Sequence, residues 1–194
     1  MAAGGPSAGA AAEAPAAAGA EPEAEADAGA SPAPAQLVLL APRGVRIPRI
    51  GVSARVVHLG VAQSGEWEVP DEDVGWYRHT APPGTPGNAV LAGHLNSPWG
   101  LPRVFARLRE LRAGDLVEID LVDVTDPRDD GARSTAPSVG RYRVAETRLV
   151  PSTAVDVLAP TDDDRLTLIT CAGTWNIGRR EYSHRHVVIA RPEA

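Results

Sequence analysis

The chain has 194 residues, a single cysteine, no lysine, 19 arginines against 25 acidic side chains, and a formal net charge of −6. That length fits one ordinary domain with chain to spare. The acidic balance excludes the basic footprint of a nucleic-acid binder. A lone cysteine excludes an intramolecular disulfide and cannot build a thiolate metal site by itself.

In chain order, residues 1–35 are almost wholly Ala, Gly, Pro, Glu, Ser and Asp, with no aromatic residue and no Leu, Ile or Val. Such a segment cannot bury enough apolar surface to offset the entropy of ordering it, so residues 1–42 are expected to form a disordered linker or stalk. The longest apolar run near the front, Leu37–Ala41, is far short of the roughly 20 residues that span a bilayer. The basic and apolar regions of a signal peptide are not found there.

From Arg43 the texture changes, and 43–194 reads as one folded domain. Val45–Val61 is rich in β-branched residues, with Pro48 and Gly51 marking a break or bulge. Asn88–Leu95 follows the loop-like APPGTPG. A short helix is expected over Val104–Leu111, where Phe105, Leu108 and Leu111 share a face. In Asp115–Val122 the alternation of Val117, Ile119 and Leu121 predicts a half-buried strand. Arg141–Val150, Arg165–Cys171 and His184–Arg191 complete the strands. The connection 123–140 is polar and loop-like. In 151–164 the patch Val155–Leu158 is placed to form one turn of helix against the sheet. Many short strands and one or two short helices predict an all-β, closed barrel of about eight strands.

Strand parity orders the candidate chemistry. Thr167, Ile169 and Cys171 fall on one face and Leu166, Leu168 and Thr170 on the other. Cys171 is expected at its strand's end, before a permissive Ala172-Gly173. Ala92 and His94 share a side, and Gly93 is expected to leave the backbone there accessible. Arg185 leads a face continued by Val187 and Ile189. Each residue alone has an ordinary reading: a small buried thiol, a satisfied histidine, a rim charge. Three strand-terminal groups of complementary chemistry together do not.

The string Thr167-Leu168-Ile169-Thr170-Cys171 resembles the TLxTC signature of the sortases, and Leu91-Ala92-Gly93-His94 resembles the segment around their histidine. Tyr182-x-x-Arg185-x-Val187-Val188 is similar to their closing strand. The order His, Cys, Arg agrees, with separations of 77 and 14 residues read from the numbering. The resemblance covers roughly residues 43–191, and the GHLN form is most similar to the class F, actinobacterial subgroup.

The resemblance implies a cysteine transpeptidase with His94, Cys171 and Arg185 as its catalytic residues and no cofactor. It implies cleavage of an LPxTG-like sorting signal between Thr and Gly, through a thioacyl-enzyme resolved by an amine acceptor. Ala92, Thr167, Ile169 and Thr170 are the implied substrate-binding positions. Loops 151–164 and 172–183 are the implied walls of the groove, with Trp175 placed either to stack on substrate or to cap the barrel. The partners implied are surface proteins with a C-terminal sorting signal and an amine of a peptidoglycan precursor or pilin. The site of action implied is the outer face of the cell membrane, with residues 1–42 as the stalk of a longer, anchored chain.

Three rivals bear weighing. An L,D-type cysteine transpeptidase places His and Gly immediately before its cysteine, where this chain has Ile169 and Thr170. A zinc site built from His184, His186 and His94 lacks an accompanying carboxylate or second cysteine. A non-catalytic wall-peptide-binding barrel sits poorly with three intact catalytic positions. Asp162-Asp163-Asp164 is read as a solvated loop tip, not a calcium site.

Overall fold

A computed structural model describes residues 40–59, 69–123 and 138–194. Eight strands follow one another: β1 (Leu40–Ile47), β2 (Val52–Leu59), β3 (Val74–Tyr77), β4 (Gly87–Ala92), β5 (Leu116–Asp123), β6 (Ser138–Pro151), β7 (Asp164–Asn176) and β8 (Glu181–Pro192). The expected stalk falls on residues outside those described up to 39, and the barrel's first strand already opens at Leu40. Most of the connection 123–140 also lies outside the described residues.

The sheet closes on itself in the order β1-β2-β3-β4-β7-β8-β6-β5. Two neighbouring pairs are parallel, β2 with β3 and β4 with β7; the remaining pairs are antiparallel. The expected break in the first β-type run is a 3-10 turn at Pro48–Ile50, which separates two strands that pair as a hairpin. A parallel neighbour needs a long crossover, and here β5 and β6 lie within the connection from β4 to β7. The predicted helix over Val104–Leu111 is realised as turns ending in a 3-10 turn, Leu108–Glu110. Its apolar spacing holds nevertheless, since Phe105, Leu108 and Leu111 are all buried. The patch at Val155–Leu158 likewise forms a 3-10 turn, Asp156–Leu158, with Val157 buried.

Two apolar clusters organise the molecule. Val45, Ile47, Leu91, Phe105, Val117, Ile119, Leu166, Leu168 and Val188 belong to the larger, which fills the barrel. Tyr142 is buried in it, and its hydroxyl donates to the Asp164 carboxylate (3.1 Å) while accepting from the Gly84 amide (2.7 Å). The smaller cluster holds Leu59, Tyr77, Val90, Ala92, Val157, Ile169, Val187 and Ile189. Alternation along β4, β7 and β8 puts these residues on the opposite face of the sheet from Leu91, Leu168 and Val188. One wall of the barrel is therefore apolar on both sides, and its outer side is covered by the segment between β6 and β7.

Candidate active site

β7 runs between β4 and β8, and each neighbour brings one polar group to it. Cys171 and Arg185 are Cα partners across the antiparallel β7–β8 ladder. On the other side, Ala92 pairs with Ile169 in the parallel β4–β7 ladder. That ladder continues beyond β4, because the Gly93 amide donates to the Ile169 carbonyl at 3.1 Å. Two residues further on, the same register sets His94 level with Cys171. Cys171 and Arg185 thus form a rung across β7 and β8, and His94, two residues past the end of β4, extends its line. Parity puts Cys171 and Arg185 on the outer face with Ile169 and Val187.

Glycine 93 makes this geometry possible, though not by leaving the backbone open as expected. A Cβ there would lie 2.7 Å from a Phe105 ring atom and 2.8 Å from Val104. The missing side chain lets the Val104–Phe105 turn close down behind the histidine strand. The Phe105 amide then donates to the His94 carbonyl at 3.0 Å. Thr170 joins the same lock from β7, donating to the Gly93 carbonyl at 2.8 Å. Thr170 is buried, and its hydroxyl is spent on support of the histidine strand, while its side of β7 borders the cavity beside Cys171.

β7 also does not end at Cys171. It continues to Asn176 through a bulge between Ala172 and Trp175. Gly173 has φ +82° there, a backbone region L-residues avoid, and a Cβ would press on Ser183 and His184. The expected loop 172–183 is accordingly a β7–β8 hairpin. Trp175 is half-exposed on it, edge-to-face with Tyr182 at a centroid distance of 5.1 Å, and does not cap the barrel. The Tyr182 hydroxyl donates to Asn96 Oδ1 (3.0 Å), tying the hairpin to the chain just after His94.

The three groups differ in their surroundings. His94 Nε2 lies 3.1 Å from the Val69 carbonyl. A ring N–H donating there leaves Nδ1 as the acceptor nitrogen. Arg185 Nη1 donates to the carbonyls of His184 (3.2 Å) and Tyr182 (3.4 Å), and no described carboxylate pairs with it. Its charge is left to act on its neighbours. Burial pushes the half-buried Cys171 thiol above the ordinary cysteine range, and the Arg185 guanidinium works against that rise. Tyr77 is within electrostatic range of both; burial holds its phenol neutral, with a pKa pushed up to about 12.

Ala92, Thr167 and Ile169 do share the face of the rung, yet all three are buried. Thr167 is bound internally: its hydroxyl donates to Asn88 Oδ1 at 2.6 Å. Asn88 in turn donates from Nδ2 to the carbonyls of Val157 and Ala159, both at 3.0 Å. This buried amide clamps the β6–β7 segment over the outer face, a role no sequence pattern announced. A cavity of about 260 Å³ opens on the other side of Cys171, bordered by Phe105, Arg109, Thr170, Cys171 and His186.

The zinc rival loses its geometry. His184 and His186 alternate with Arg185 and so face the opposite side of β8 from the rung; among the described residues no three His, Cys, Asp or Glu side chains gather to hold a metal. The acidic run also diverges, Asp164 taking the Tyr142 hydroxyl and Asp163 pairing with Arg191.

Comparison with known proteins agrees with this architecture. No curated protein matches the chain in sequence. Among solved structures, a lid mutant of sortase A from Corynebacterium diphtheriae superposes with a TM-score of 0.57 at 22% identity, covering 81% of this chain and 70% of that one. A Clostridium perfringens sortase D5 transpeptidase gives 0.54 at 22% identity, covering 81% and 79%. Sortase A of Listeria monocytogenes gives 0.55 at 23% identity, covering 79% and 88%. At that identity these likenesses establish the fold, a sortase-type closed barrel. The family follows from the sortase domain model, which matches residues 45–193: the chain belongs to the sortase family.

Proposed function

We propose that this chain is a cysteine transpeptidase in which Cys171, His94 and Arg185 carry the chemistry, acting on an LPxTG-like sorting signal between its Thr and Gly. The observation that supports it is the juxtaposition of an imidazole just after β4, a thiol on β7 and, on β8, a guanidinium with no carboxylate partner among the described residues. The resting cysteine is a neutral thiol, since burial outweighs Arg185's opposing charge. Attack on the Thr carbonyl therefore needs a proton acceptor, and His94 takes the thiol proton as the C–S bond forms. The tetrahedral oxyanion is stabilised by Arg185, whose remaining N–H groups meet no carboxylate among the described residues. Collapse breaks the Thr–Gly bond, and the imidazolium hands its proton to the departing glycine amine. The thioacyl-enzyme is then opened by an acceptor amine: the C–N bond forms, the C–S bond breaks, the amine proton passes to His94, and His94 returns it to the departing Cys171 thiolate.

Ala92 and Ile169 form the apolar floor beneath an extended peptide, and the β6–β7 segment clamped by Asn88 and Thr167 forms one wall. The substrates are surface proteins with a C-terminal sorting signal, and the acceptor is an amine of a wall precursor or pilin. Such work belongs at the outer face of the membrane. In its GHLN form the chain is similar to the class F subgroup.

A fluorogenic LPxTG peptide tests the reading. The wild-type chain should cleave it and Cys171→Ala should lose on the order of 10³-fold or more in turnover. Equal turnover by the two chains would remove the cysteine mechanism.

A further inference from the structure

Two turns leave the barrel side by side, because β4 and β7 are parallel and the chain beyond each exits at the same end. The first is the Ser97–Leu101 turn, pinned by Gly100 N to Ser97 O (2.9 Å), Ser97 N to Leu101 O (2.7 Å) and a bridge between Asn96 and Pro102. The second is the tip of the β7–β8 hairpin. The hydrogen bond from Tyr182 to Asn96 holds the two together. Both tips present large apolar side chains to solvent: Trp99 is 83% exposed, Leu101 63%, Trp175 47% and Ile177 83%. Burial elsewhere in the fold gives no reason for two exposed tryptophans at one end.

The charge around them is mainly positive, although Arg103 is paired with Glu72 and Arg107 with Glu110. Segments 96–109 and 174–186 carry six arginines and one acidic residue, Glu181. From residue 36 onward the chain as a whole holds 19 arginines against 20 acidic residues, since five of the 25 lie in 1–35. The opposite end of β7 is acidic, with Asp162, Asp163 and Asp164 at its start. Arg180 has no described carboxylate partner, Arg109 acts on the Glu110 carboxylate only through its field, and Arg179 faces Glu181 at 3.6 Å. Charge is therefore polarised along β7, positive where the tryptophans are.

We propose that this end is a membrane-docking surface for an anionic bilayer, with Trp99, Leu101, Trp175 and Ile177 entering the headgroup region and Arg179 and Arg180 meeting lipid phosphates. Tryptophan with flanking arginine is the side-chain pair suited to that boundary, an amphipathic ring beside a phosphate ligand. Docking in this pose turns the end of the sheet that carries His94, Cys171 and Arg185 toward the lipid. The surface does not depend on what Cys171 does.

The full chain, mixed with vesicles of equal parts phosphatidylglycerol and phosphatidylcholine, should co-sediment and show a blue-shifted tryptophan emission. Pure phosphatidylcholine should hold roughly tenfold less. Trp99→Ser/Ile177→Ser and Arg179→Glu/Arg180→Glu should each lower binding roughly tenfold. Val139→Ser, an exposed apolar site at the far end of the barrel, should leave binding unchanged. All five altered side chains are exposed, so folding is not at stake, and unchanged circular dichroism checks it. Absence of binding to the anionic vesicles overturns the proposal. So does equal binding by Trp99→Ser/Ile177→Ser and the wild type, including the case in which that variant instead weakens only peptide cleavage, which would assign the surface to the peptide.

Discussion

The two walls of the barrel solve the same problem in opposite ways. Across β1, β5 and β6 the outer face is a ladder of matched charge. Arg46 pairs with Asp120 and Glu118, Glu118 with Arg141, and Arg141 and Arg143 with Glu193. Across β4, β7 and β8 the outer face is largely apolar and covered by another segment. Arg191 at its far end pairs with Asp163, while Arg185 has no carboxylate partner among the described residues. A sheet face exposed to water needs only solvated charges, and each exposed pair adds little to stability. On the second wall a guanidinium with no carboxylate partner among the described residues stands beside a thiol. Among the described residues, paired charge marks the solvated wall, and the wall with Cys171 and Arg185 is the one to which the proposed chemistry is assigned.

The sharpest way to break this contrast is at Arg185. Arg185→Lys keeps the charge and loses the planar fork, so peptide turnover should fall by on the order of 10²-fold or more. The pH profile of Cys171 alkylation should stay in place in that variant. In Arg185→Ala, where the opposing charge is gone, the profile should move to higher pH, because the guanidinium lowers a thiol that burial raises. A fully active lysine variant would detach Arg185 from the reaction.

Asn88 comes next. Asn88→Ala removes the partner of the Thr167 hydroxyl and two donors to the β6–β7 segment. The loss should be about 2–3 kcal/mol in a denaturant titration, with KM for the peptide rising more than kcat falls. Unchanged stability would show that the segment is held by its apolar contacts alone. The smallest effect belongs to the charged wall. Arg141→Ala, with its exposed pairs to Glu118 and Glu193, should shift the melting midpoint by less than about 2 °C and leave turnover as it was. A large loss there would erase the distinction between the walls.

The sequence made the barrel legible where alternation or β-branching was strong, as in Val117, Ile119 and Leu121 of β5. Strand β3 escaped notice because Val74–Tyr77 has only four residues, all buried, and offers no alternation to count. The helix over Val104–Leu111 has the apolar spacing of a helix but packs as successive turns, because it must follow the floor left by Gly93. Parity alone placed Ala92, Thr167, Ile169 and Cys171 on one face. It did not say that three of them would be covered, nor that Thr170 would serve the strand behind His94. Those facts depend on partners distant in sequence: Asn88 is 69 residues from Val157 and 79 from Thr167. The end of β7 was misplaced for a local reason, since Ala172-Gly173 reads equally as a turn or as a bulge.

Asn88 grips the β6–β7 segment by two main-chain oxygens, not by any side chain of that segment. Such a clamp is indifferent to the identity of most residues it holds. The height of the segment above β4 and β7 is set by a buried amide, while the side chains that would meet a ligand vary without disturbing the hinge. The segment is in effect an exchangeable cassette on a fixed mount. A barrel built this way can change what it recognises by substitution within one connection, leaving the strands and their polar rung untouched.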